Sequence, residues 1–402
     1  MTQLLPAASE MAPVRVVIVD DSSVARGFLA RWISECDDLQ LVGTAANGLE
    51  AITMIPAAKP DVVILDIEMP QMNGLEALPL IRIAAPEAAI IMSSRLTRKN
   101  AELALLCLQN GATEIIPKPS ADERATPLPT YQQELLDKLR TVGRRGKIEA
   151  QPLLTREPLS PFEIISRPLA AIPSPPRPKR APAREVHAAV VERPAPQAPP
   201  LQSSPAHGSH AARAILVGAS TGGPNACAEF ITALKPLIAR IPVIIAQHMP
   251  PVFTRVFGEH LAAASGVTCR EARDGEALVR GHVYIAPGGH HIRISGAASA
   301  PTITLDHGPP VRFSRPSVDL LFHSAREVFG ADVTAVVLTG MGSDGLEGAR
   351  DLAAAGARIY VQDERSSVVW GMPGAIARAG LANEIATPSE IAAALVTQGG
   401  KS

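Results

Sequence analysis

The chain carries two regions in which short apolar segments alternate with longer amphipathic ones. In the first, from Val14 onward, the apolar segments are rich in β-branched residues, and helical segments such as SVARGFLARWISE and AELALLCLQN separate them. The predicted strands are VRVVIV, LQLVGTA, DVVIL, AAIIM and ATEII. Alternating strands and helices predict a parallel sheet with helices on both faces. We therefore predict a doubly wound α/β domain over residues 14–135.

The second region, residues 212–397, shows the same alternation. The segments AILVG, VIIAQ and TAVVL predict strands, and the first and last of them lead through glycine-rich turns into helical segments. This pattern predicts a second α/β domain built on a parallel sheet. The expected fold of the chain is therefore two doubly wound α/β domains.

Proline separates the two predicted domains. Fourteen of the 37 prolines fall between residues 150 and 210, in runs such as SPPRPKRAPA and RPAPQAPP. Proline lacks a backbone donor and fixes φ, so this segment is predicted to form neither a sheet nor a long helix. We interpret residues 141–209 as a proline-rich linker.

Composition narrows the class of protein. The 402 residues are 46% hydrophobic, which is enough for two domains with cores of their own. The formal net charge of −1 provides no overall attraction to nucleic acid or to an acidic membrane. Four widely spaced cysteines form no CxxC pair, and no apolar run approaches the ~20 residues that span a bilayer. With no signal-peptide pattern at the N-terminus, the expected location is the cytoplasm.

Polar residues follow the predicted strands of the first domain. Asp20 and Asp21 follow the first strand, Asp66 ends the third, Ser93 ends the fourth and Lys118 follows the fifth. In a parallel sheet these positions meet at one edge, where ligands bind. Three carboxylates at one edge repel one another unless a cation joins them, and hard oxygen ligands suit Mg²⁺. An aspartate after a strand is often only a helix cap, but three aspartates, a serine and a lysine together at one edge favour a binding site.

These residues lie in motifs that resemble those of a response-regulator receiver domain, a flavodoxin-like fold. The motifs are VDDSSVAR, LDIEMPQMNGLEAL, MSSRLT and IPKPS. The resemblance implies that Asp66 is the phosphoacceptor and that a Mg²⁺ ion binds there. The implied Mg²⁺ ligands are Asp20, Asp21, Asp66 and the backbone carbonyl of Glu68, and the implied phosphoryl contacts are Ser93 and Lys118. Ile115 stands where the family often carries an aromatic switch residue, so the chain departs from a switch that works by exchange of that ring's rotamer.

The second domain opens on VGASTGGP, a tight turn with two interpretations. A turn of this kind either cradles a phosphate or presents a nucleophile at the edge of a sheet. A Walker-type loop needs a lysine after its glycines, and the spacing of Gly218, Gly222 and Gly223 does not give GxGxxG. The sequence therefore favours the nucleophile.

A serine nucleophile needs a base and a carboxylate that orients the base. Ser220 follows the strand AILVG, His248 follows VIIAQ, and Asp344 lies in the glycine-rich turn after TAVVL. All three are predicted at the carboxyl ends of strands, with Ser220 near a helix N-terminus that stabilises an oxyanion. His290 and His291, in GGHHIRIS, are interpreted as hairpin residues rather than ligands.

Residues 212–397 resemble the chemotaxis protein-glutamate methylesterase (CheB) family, in which a receiver precedes a Rossmann-like α/β catalytic domain. The motifs are GASTGGP, QHMPPVFTRVF, ARDGEAL, VYIAPGGHH, RPSVDLLF, LTGMGSDG and VQDERSSVVWGMPGAI. The resemblance implies that Ser220 is the nucleophile, His248 the base and Asp344 the orienting acid. Thr221 and the backbone N–H of Met341 are the implied oxyanion contacts. Arg315, in RPSVD, either holds the edge of the site together or orients the substrate.

The resemblance implies a phosphorylation-activated enzyme. It would hydrolyse glutamate methyl esters on chemoreceptors, release methanol and deamidate certain receptor glutamines, with a chemotaxis histidine kinase as phosphodonor. Mg²⁺ would bind at the receiver, and the esterase step would need no metal. Neither a nucleic acid partner nor membrane insertion is expected.

Two other classes of protein compete with this interpretation. The C-terminal half could instead be a phosphorylation-dependent binding module without catalysis, although the set of Ser220, His248 and Asp344 argues against it. A DNA-binding regulator is disfavoured, because the C-terminal half shows no basic helix-turn-helix pattern.

Overall fold

The computed structural model of the chain describes residues 12–118, 128–145 and 212–399. Its first domain is a five-stranded parallel sheet in the order β2-β1-β3-β4-β5, the flavodoxin-like order. The predicted doubly wound fold is confirmed. The strands are β1 Val14–Val19, β2 Leu39–Ala45, β3 Val62–Asp66, β4 Ala89–Ser94 and β5 Glu114–Pro117.

Helices cover both faces of this sheet, and side-chain caps fix where several of them begin. Ser22, Asn47, Asn73 and Thr97 each accept a backbone N–H from the first turn of the helix that follows. The helices are α1 Ser23–Ser34, α2 Gly48–Ala58, α3 Gly74–Ala84, α4 Arg98–Gln109 and α5 Leu128–Arg145. Helix α5 therefore runs through residues 141–145, which lie within the range predicted as linker. The rest of that range, residues 146–209, lies outside the described residues.

The second domain is a seven-stranded parallel sheet in the order β14-β13-β12-β6-β7-β9-β8. The chain moves from β6 to β7 on one side and later returns to β12 on the other, so β6 lies at the topological switch point where α/β sheets bind ligands. The strands are β6 Ala214–Ala219, β7 Val243–Gln247, β8 Thr268–Glu271, β9 His282–Ile285, β12 Val333–Val337, β13 Arg358–Gln362 and β14 Glu384–Ala386. A separate antiparallel hairpin pairs β10 (His291–Ala297) with β11 (Ala300–Asp306).

Two apolar cores lie on the two faces of this sheet. Phe230, Phe253 and Phe257 are buried on one face, and Tyr284 and Phe322 on the other. The helices are α6 Gly223–Ile238, α7 Phe253–Ser265, α8 Val318–Phe329, α9 Leu346–Ala355, α10 Met372–Arg378 and α11 Pro388–Gly399. Among the described helices, none is long and apolar enough to cross a membrane.

Helix α4 of the first domain packs against α6 and α7 of the second. At this contact Arg98 Nη2 lies 2.8 Å from Glu259 Oε2. The Asn225 side chain donates to the backbone oxygen of Leu108 (3.0 Å). Helix α5 makes a second contact, because the Thr141 hydroxyl donates to the Met341 sulfur (3.2 Å).

Candidate functional site

The acidic residues predicted in the first domain lie together. One carboxylate oxygen from each of Asp20, Asp21 and Asp66 falls within 4.8 Å of the other two. Asp20 and Asp66 are buried, whereas Asp21 is exposed. The cluster therefore reaches the protein surface at Asp21.

Lys118 reaches into this acidic cluster from the end of β5. Its Nζ lies 2.7 Å from Asp20 Oδ2 and 2.7 Å from Asp66 Oδ2. Burial raises the pKa of Asp66 to about 6, with a further contribution from the charge of Asp20, although the contact with Lys118 opposes the rise. Burial opposes the charge on Lys118, but its bonds to both carboxylates outweigh this, and its pKa is raised. One ammonium group therefore does not fully offset the negative charge.

The donor set at this edge fits Mg²⁺. Three carboxylates supply hard oxygen ligands, and a divalent cation would offset both the burial and the charge of Asp20 that raise the pKa of Asp66. The backbone of Glu68 lies beside Asp66, since its N–H donates to the Asp66 carboxylate. The Glu68 side chain turns away and accepts a hydrogen bond from Asn100 Nδ2 (3.2 Å) at the start of α4.

Ser93 lies directly beside Asp66, because the two residues are paired across β3 and β4. Its side chain bonds the hydroxyl of Tyr131, a residue of α5 that the sequence analysis did not identify. The Tyr131 ring is buried edge-on against Trp32, with the ring centroids 6.0 Å apart. Ile115 is buried in β5. The aromatic group near the phosphoryl site thus comes from α5 rather than from β5.

In the second domain, the Ser220 turn is held by backbone hydrogen bonds on both sides. The Ser220 N–H donates to the Thr339 oxygen (3.0 Å). The backbone oxygen of Ser220 accepts hydrogen bonds from Gly223 N–H (2.8 Å) and from the side-chain Nε2 of Gln247 (2.9 Å). These bonds fix the backbone of Ser220, and the residue itself is partly exposed and so open to a substrate.

Two glycines allow the turn to form. Gly222 adopts φ +76°, which favours glycine, and it directly precedes α6. Gly340 packs so closely on the turn that a Cβ there would lie 2.9 Å from Ser220 Cβ and would also overlap Met372 Sδ. The position of Ser220 therefore depends on a glycine in the neighbouring loop.

His248 and Asp344 form a direct pair. His248 Nε2 lies 2.8 Å from Asp344 Oδ2. Asp344 also caps α8 from outside that helix, since its carboxylate accepts four more hydrogen bonds, from Ser317 Oγ and from the backbone N–H groups of Val318, Asp319 and Gly345.

These donors determine the charge of Asp344. Burial favours the neutral acid, but the bond and charge of His248 and the N–H donors of Val318 and Asp319 outweigh burial and hold the pKa of Asp344 well below its usual range. Asp344 is therefore ionised, and we infer that it holds the His248 proton on Nε2. The lone pair of the neutral ring then lies on Nδ1.

This lone pair accepts a hydrogen bond from the Ser314 hydroxyl, whose Oγ lies 3.2 Å from His248 Nδ1. Ser220 is in register beside His248, because Ala219 and Gln247, the residues before them, are paired across β6 and β7. The structure thus brings His248 and Asp344 into contact and places Ser220 on the adjacent strand end, while Ser314 bonds the base nitrogen.

The two predicted oxyanion residues have different surroundings. Thr221 is buried, and within the described part of the chain its hydroxyl has no hydrogen-bond partner. Met341 follows Gly340 beside the Ser220 turn, and its sulfur bonds Thr141 of α5. The oxyanion role of both residues stays a prediction.

Arg315 and His291 bind the backbone around the site. Arg315 Nη1 donates to the backbone oxygens of His307 (3.2 Å) and Gly308 (2.9 Å). The first residue of the β10–β11 hairpin is His291, which accepts from the Ser317 N–H (3.1 Å) and lies 3.0 Å from the Pro309 oxygen. Burial lowers the pKa of His291. These contacts favour the first interpretation of Arg315, a residue that holds the edge of the site together.

Four residues that organise this site carry no predicted role: Gln247, Ser314, Ser317 and Asp319. Gln247 directly precedes His248, and the other three flank or belong to RPSVD. Their positions in the same motifs as predicted site residues were the available signal.

Family comparisons divide the chain at the same place as the fold. The response regulator receiver domain matches residues 16–126, and CheB methylesterase matches residues 215–395. A protein-glutamate methylesterase/protein-glutamine glutaminase of group 2 operon from Rhodopseudomonas palustris (strain ATCC BAA-98 / CGA009) is 41% identical over 93% of this chain and 91% of its own. A protein-glutamate methylesterase/protein-glutamine glutaminase from Maricaulis maris (strain MCS10) is 41% identical over 98% of each chain.

A solved structure is similar to the second domain. The Thermotoga maritima CheB methylesterase catalytic domain is 33% identical, with a TM-score of 0.45, and the match covers 46% of this chain and 98% of that one.

Proposed function

The chain belongs to the protein-glutamate methylesterase/protein-glutamine glutaminase family, and from this premise we propose that it hydrolyses glutamate γ-methyl esters on chemoreceptors. The same acyl chemistry would deamidate receptor glutamines, with ammonia as the leaving group. The observation that supports the proposal most directly is the His248–Asp344 pair at the strand end next to Ser220. The substrate, the cytoplasmic part of a receptor, would place the reaction in the cytoplasm.

In the proposed mechanism, Ser220 Oγ attacks the ester carbonyl carbon and its proton passes to His248 Nδ1. The oxyanion forms near the N-terminus of α6, where the helix dipole stabilises negative charge. The C–O bond to methoxide then breaks, and the proton on Nδ1 leaves with it as methanol. Water, deprotonated by Nδ1, cleaves the acyl-serine and yields glutamate and free Ser220.

Asp344 and Ser314 would act through His248. Asp344 keeps the second proton on Nε2 and balances the imidazolium charge, because its pKa is low enough to keep it ionised throughout. Before substrate binds, the Ser314 hydroxyl is hydrogen-bonded to His248 Nδ1. For proton transfer, this bond must be replaced by one from the Ser220 hydroxyl to the same nitrogen.

The receiver would control this site through phosphorylation of Asp66 by a chemotaxis histidine kinase. Bound Mg²⁺ would neutralise charge on the transferred phosphoryl group, and the residues that would hold it are Asp20, Asp21, Asp66 and the Glu68 carbonyl. Lys118 and Ser93 would contact the phosphoryl oxygens. The phosphate adds about −1.5 to −2 charge units beside Lys118, which would repack this face of the receiver.

The contact between the domains supports such control. Met341 and Val368 pack on an apolar cluster of the receiver that includes Trp32 and Leu139. Val368 also packs against Gly222 in the Ser220 turn. We infer that the receiver restricts access to the turn until phosphorylation loosens this contact. The division into a receiver, a linker and a catalytic domain (212–397) is part of the proposal, with the receiver extended from 135 to Arg145, the end of α5, and the linker starting after it rather than at 141.

Methanol release from methylated receptor tests the proposal. Wild type should be stimulated by a phosphodonor with Mg²⁺, Asp66→Ala should be active but unstimulated, and Ser220→Ala should release none. Equal rates with and without phosphorylation would refute the regulatory part. No release by wild type under any condition would refute the esterase and favour a binding module.

A further inference from the structure

A tight turn beside the base has an unusual backbone. Val311 and Ser314 exchange both of their backbone hydrogen bonds, at 3.1 and 2.9 Å. Between them, Arg312 and Phe313 adopt φ +48° and +66°. Residues with a Cβ seldom adopt this left-handed conformation, and turns of this form usually contain glycine or asparagine. Something outside the turn must therefore hold it.

Side-chain contacts hold the turn on both sides of Phe313. Arg312 Nη1 donates to Ser343 Oγ (2.9 Å), and Arg312 Nε lies 3.4 Å from Asp319 Oδ2. Ser314 Oγ bonds His248 Nδ1. Both neighbours of Phe313 are thus bound to the residues that surround His248 and Asp344, so the turn is fixed relative to the base.

Phe313 itself makes little contact with the rest of the protein. Its side chain is 90% exposed in the full chain, with the receiver in place. An exposed phenyl ring does not contribute to a core, and leaving it in water is unfavourable. The structure therefore holds an apolar ring in solvent, one residue away from the side chain that bonds the base.

We propose that Phe313 is a specificity-determining residue, whose ring packs on apolar side chains next to the target glutamate in the protein substrate. The inference rests on the proposed function and identifies how that site distinguishes a protein from a small ester. Because Ser314, the residue next to Phe313, bonds His248, residues that flank an ester held at His248 would lie on the side of the site where Phe313 stands. If the target lies on a helix, residues three or four positions away share its face and would meet the ring.

The size of the effect follows from the area of the ring. Burying a phenyl side chain against apolar groups corresponds to about 10- to 100-fold in binding. Phe313→Ala should therefore raise KM for methylated receptor by about this factor and leave kcat nearly unchanged. A small ester such as N-acetylglutamate γ-methyl ester has no flanking residues, so its kcat/KM should stay within about twofold of wild type.

The full-length chain should be compared as wild type, Phe313→Ala and Phe313→Leu on both substrates. Phe313→Leu should bring KM for methylated receptor most of the way back to the wild-type value, because leucine keeps an apolar side chain at this position. Ile385→Ala is the matched control, since Ile385 is also an exposed apolar residue (44%) but lies on the edge strand β14. Ile385→Ala should leave kcat and KM unchanged for both substrates.

The activity on the small ester shows whether the variant site is intact. An unchanged receptor KM in Phe313→Ala would overturn this inference alone, as would an equal loss on both substrates. If wild type released no methanol from receptor, the proposed function and this inference would fail together.

Discussion

Asp66 and Asp344 are both buried aspartates near the carboxyl ends of parallel strands, yet their environments are opposite. Asp66 shares one ammonium group with Asp20, and burial raises its pKa to about 6. Asp344 is also penalised by burial, but His248 and backbone N–H donors outweigh this and lower its pKa. The number of donors, rather than burial, decides the outcome. Asp66 has few hydrogen-bond partners, which suits a site that gains a cation and a phosphoryl group. Asp344 has a full set of donors, which suits a carboxylate that stays ionised.

Asp344→Asn removes the charge from the fully bonded site. An asparagine would favour the other tautomer of His248, with the proton on Nδ1 where the base needs a lone pair. By analogy with the triad of serine proteases, kcat should fall by about 10³- to 10⁴-fold. Methanol release at saturating receptor measures this fall. Circular dichroism would show whether α8, which Asp344 caps, stays folded, and a loss below tenfold with α8 folded would contradict the assigned role.

Gly340→Ala tests whether the catalytic turn depends on close backbone packing. The new Cβ would overlap Ser220 and Met372, so the nucleophile must move. A displacement of about 1 Å costs on the order of 100-fold in rate, and overpacking costs about 1 to 3 kcal/mol of stability.

The matched control for Gly340→Ala is Gly27→Ala in α1 of the receiver, where a Cβ would meet no atom within 4 Å. Removing a helix-interior glycine should stabilise that domain by about 0.5 to 1 kcal/mol. Thermal unfolding and the esterase rate together separate the two variants. Equal effects of the two substitutions would show that the clash at Gly340 is absorbed elsewhere.

The sequence predicted the positions of those candidate site residues that end a strand or directly follow one. Asp20, Asp66, Ser220 and His248 could be placed from the apolar pattern alone, because parallel strands bring their carboxyl ends to one edge. The doubly wound folds were predictable for the same reason.

The residues that the sequence did not reveal reach the site from loops and helices. Ser314 reaches His248 only through the path of a loop after β11, and Tyr131 reaches Ser93 from α5, across residues 119–127. Nor could the packing of α4 on α7 be predicted, since an amphipathic pattern shows that a helix buries one face but not what covers it.

The opposite pKa shifts predict opposite pH dependences of stability. The pKa of Asp66 is about 6 in the folded chain and about 3.9 when unfolded, so the folded state binds more protons between these values and stability falls as pH rises. For Asp344 the unfolded state binds more protons, so its contribution to stability is present above about pH 4 and is lost as the pH falls below it.

Asp66→Asn should therefore stabilise the metal-free receiver by about 1 to 3 kcal/mol at pH 7.5 and by much less at pH 4. Hydrogen exchange of the amides of β1 and β3, with EDTA present, reports this domain separately. Adding Mg²⁺ should stabilise wild type more than the variant, because the variant lacks one carboxylate ligand. The same stabilisation at both pH values would mean that the carboxylate is not strained by burial.

The smallest effect is expected at the contact between the domains. Arg98 and Glu259 form an ion pair whose side chains are largely exposed (59% and 47%), and such pairs contribute about 0 to 1 kcal/mol. Arg98→Ala should therefore raise the unphosphorylated esterase rate by no more than about fivefold and bring it closer to the phosphorylated rate. Arg31→Ala breaks an exposed ion pair with Glu35 within α1 and should leave the rate unchanged. A rise well above fivefold in Arg98→Ala would mean that this one ion pair, rather than the apolar packing of Met341 and Val368, holds the receiver on the catalytic domain.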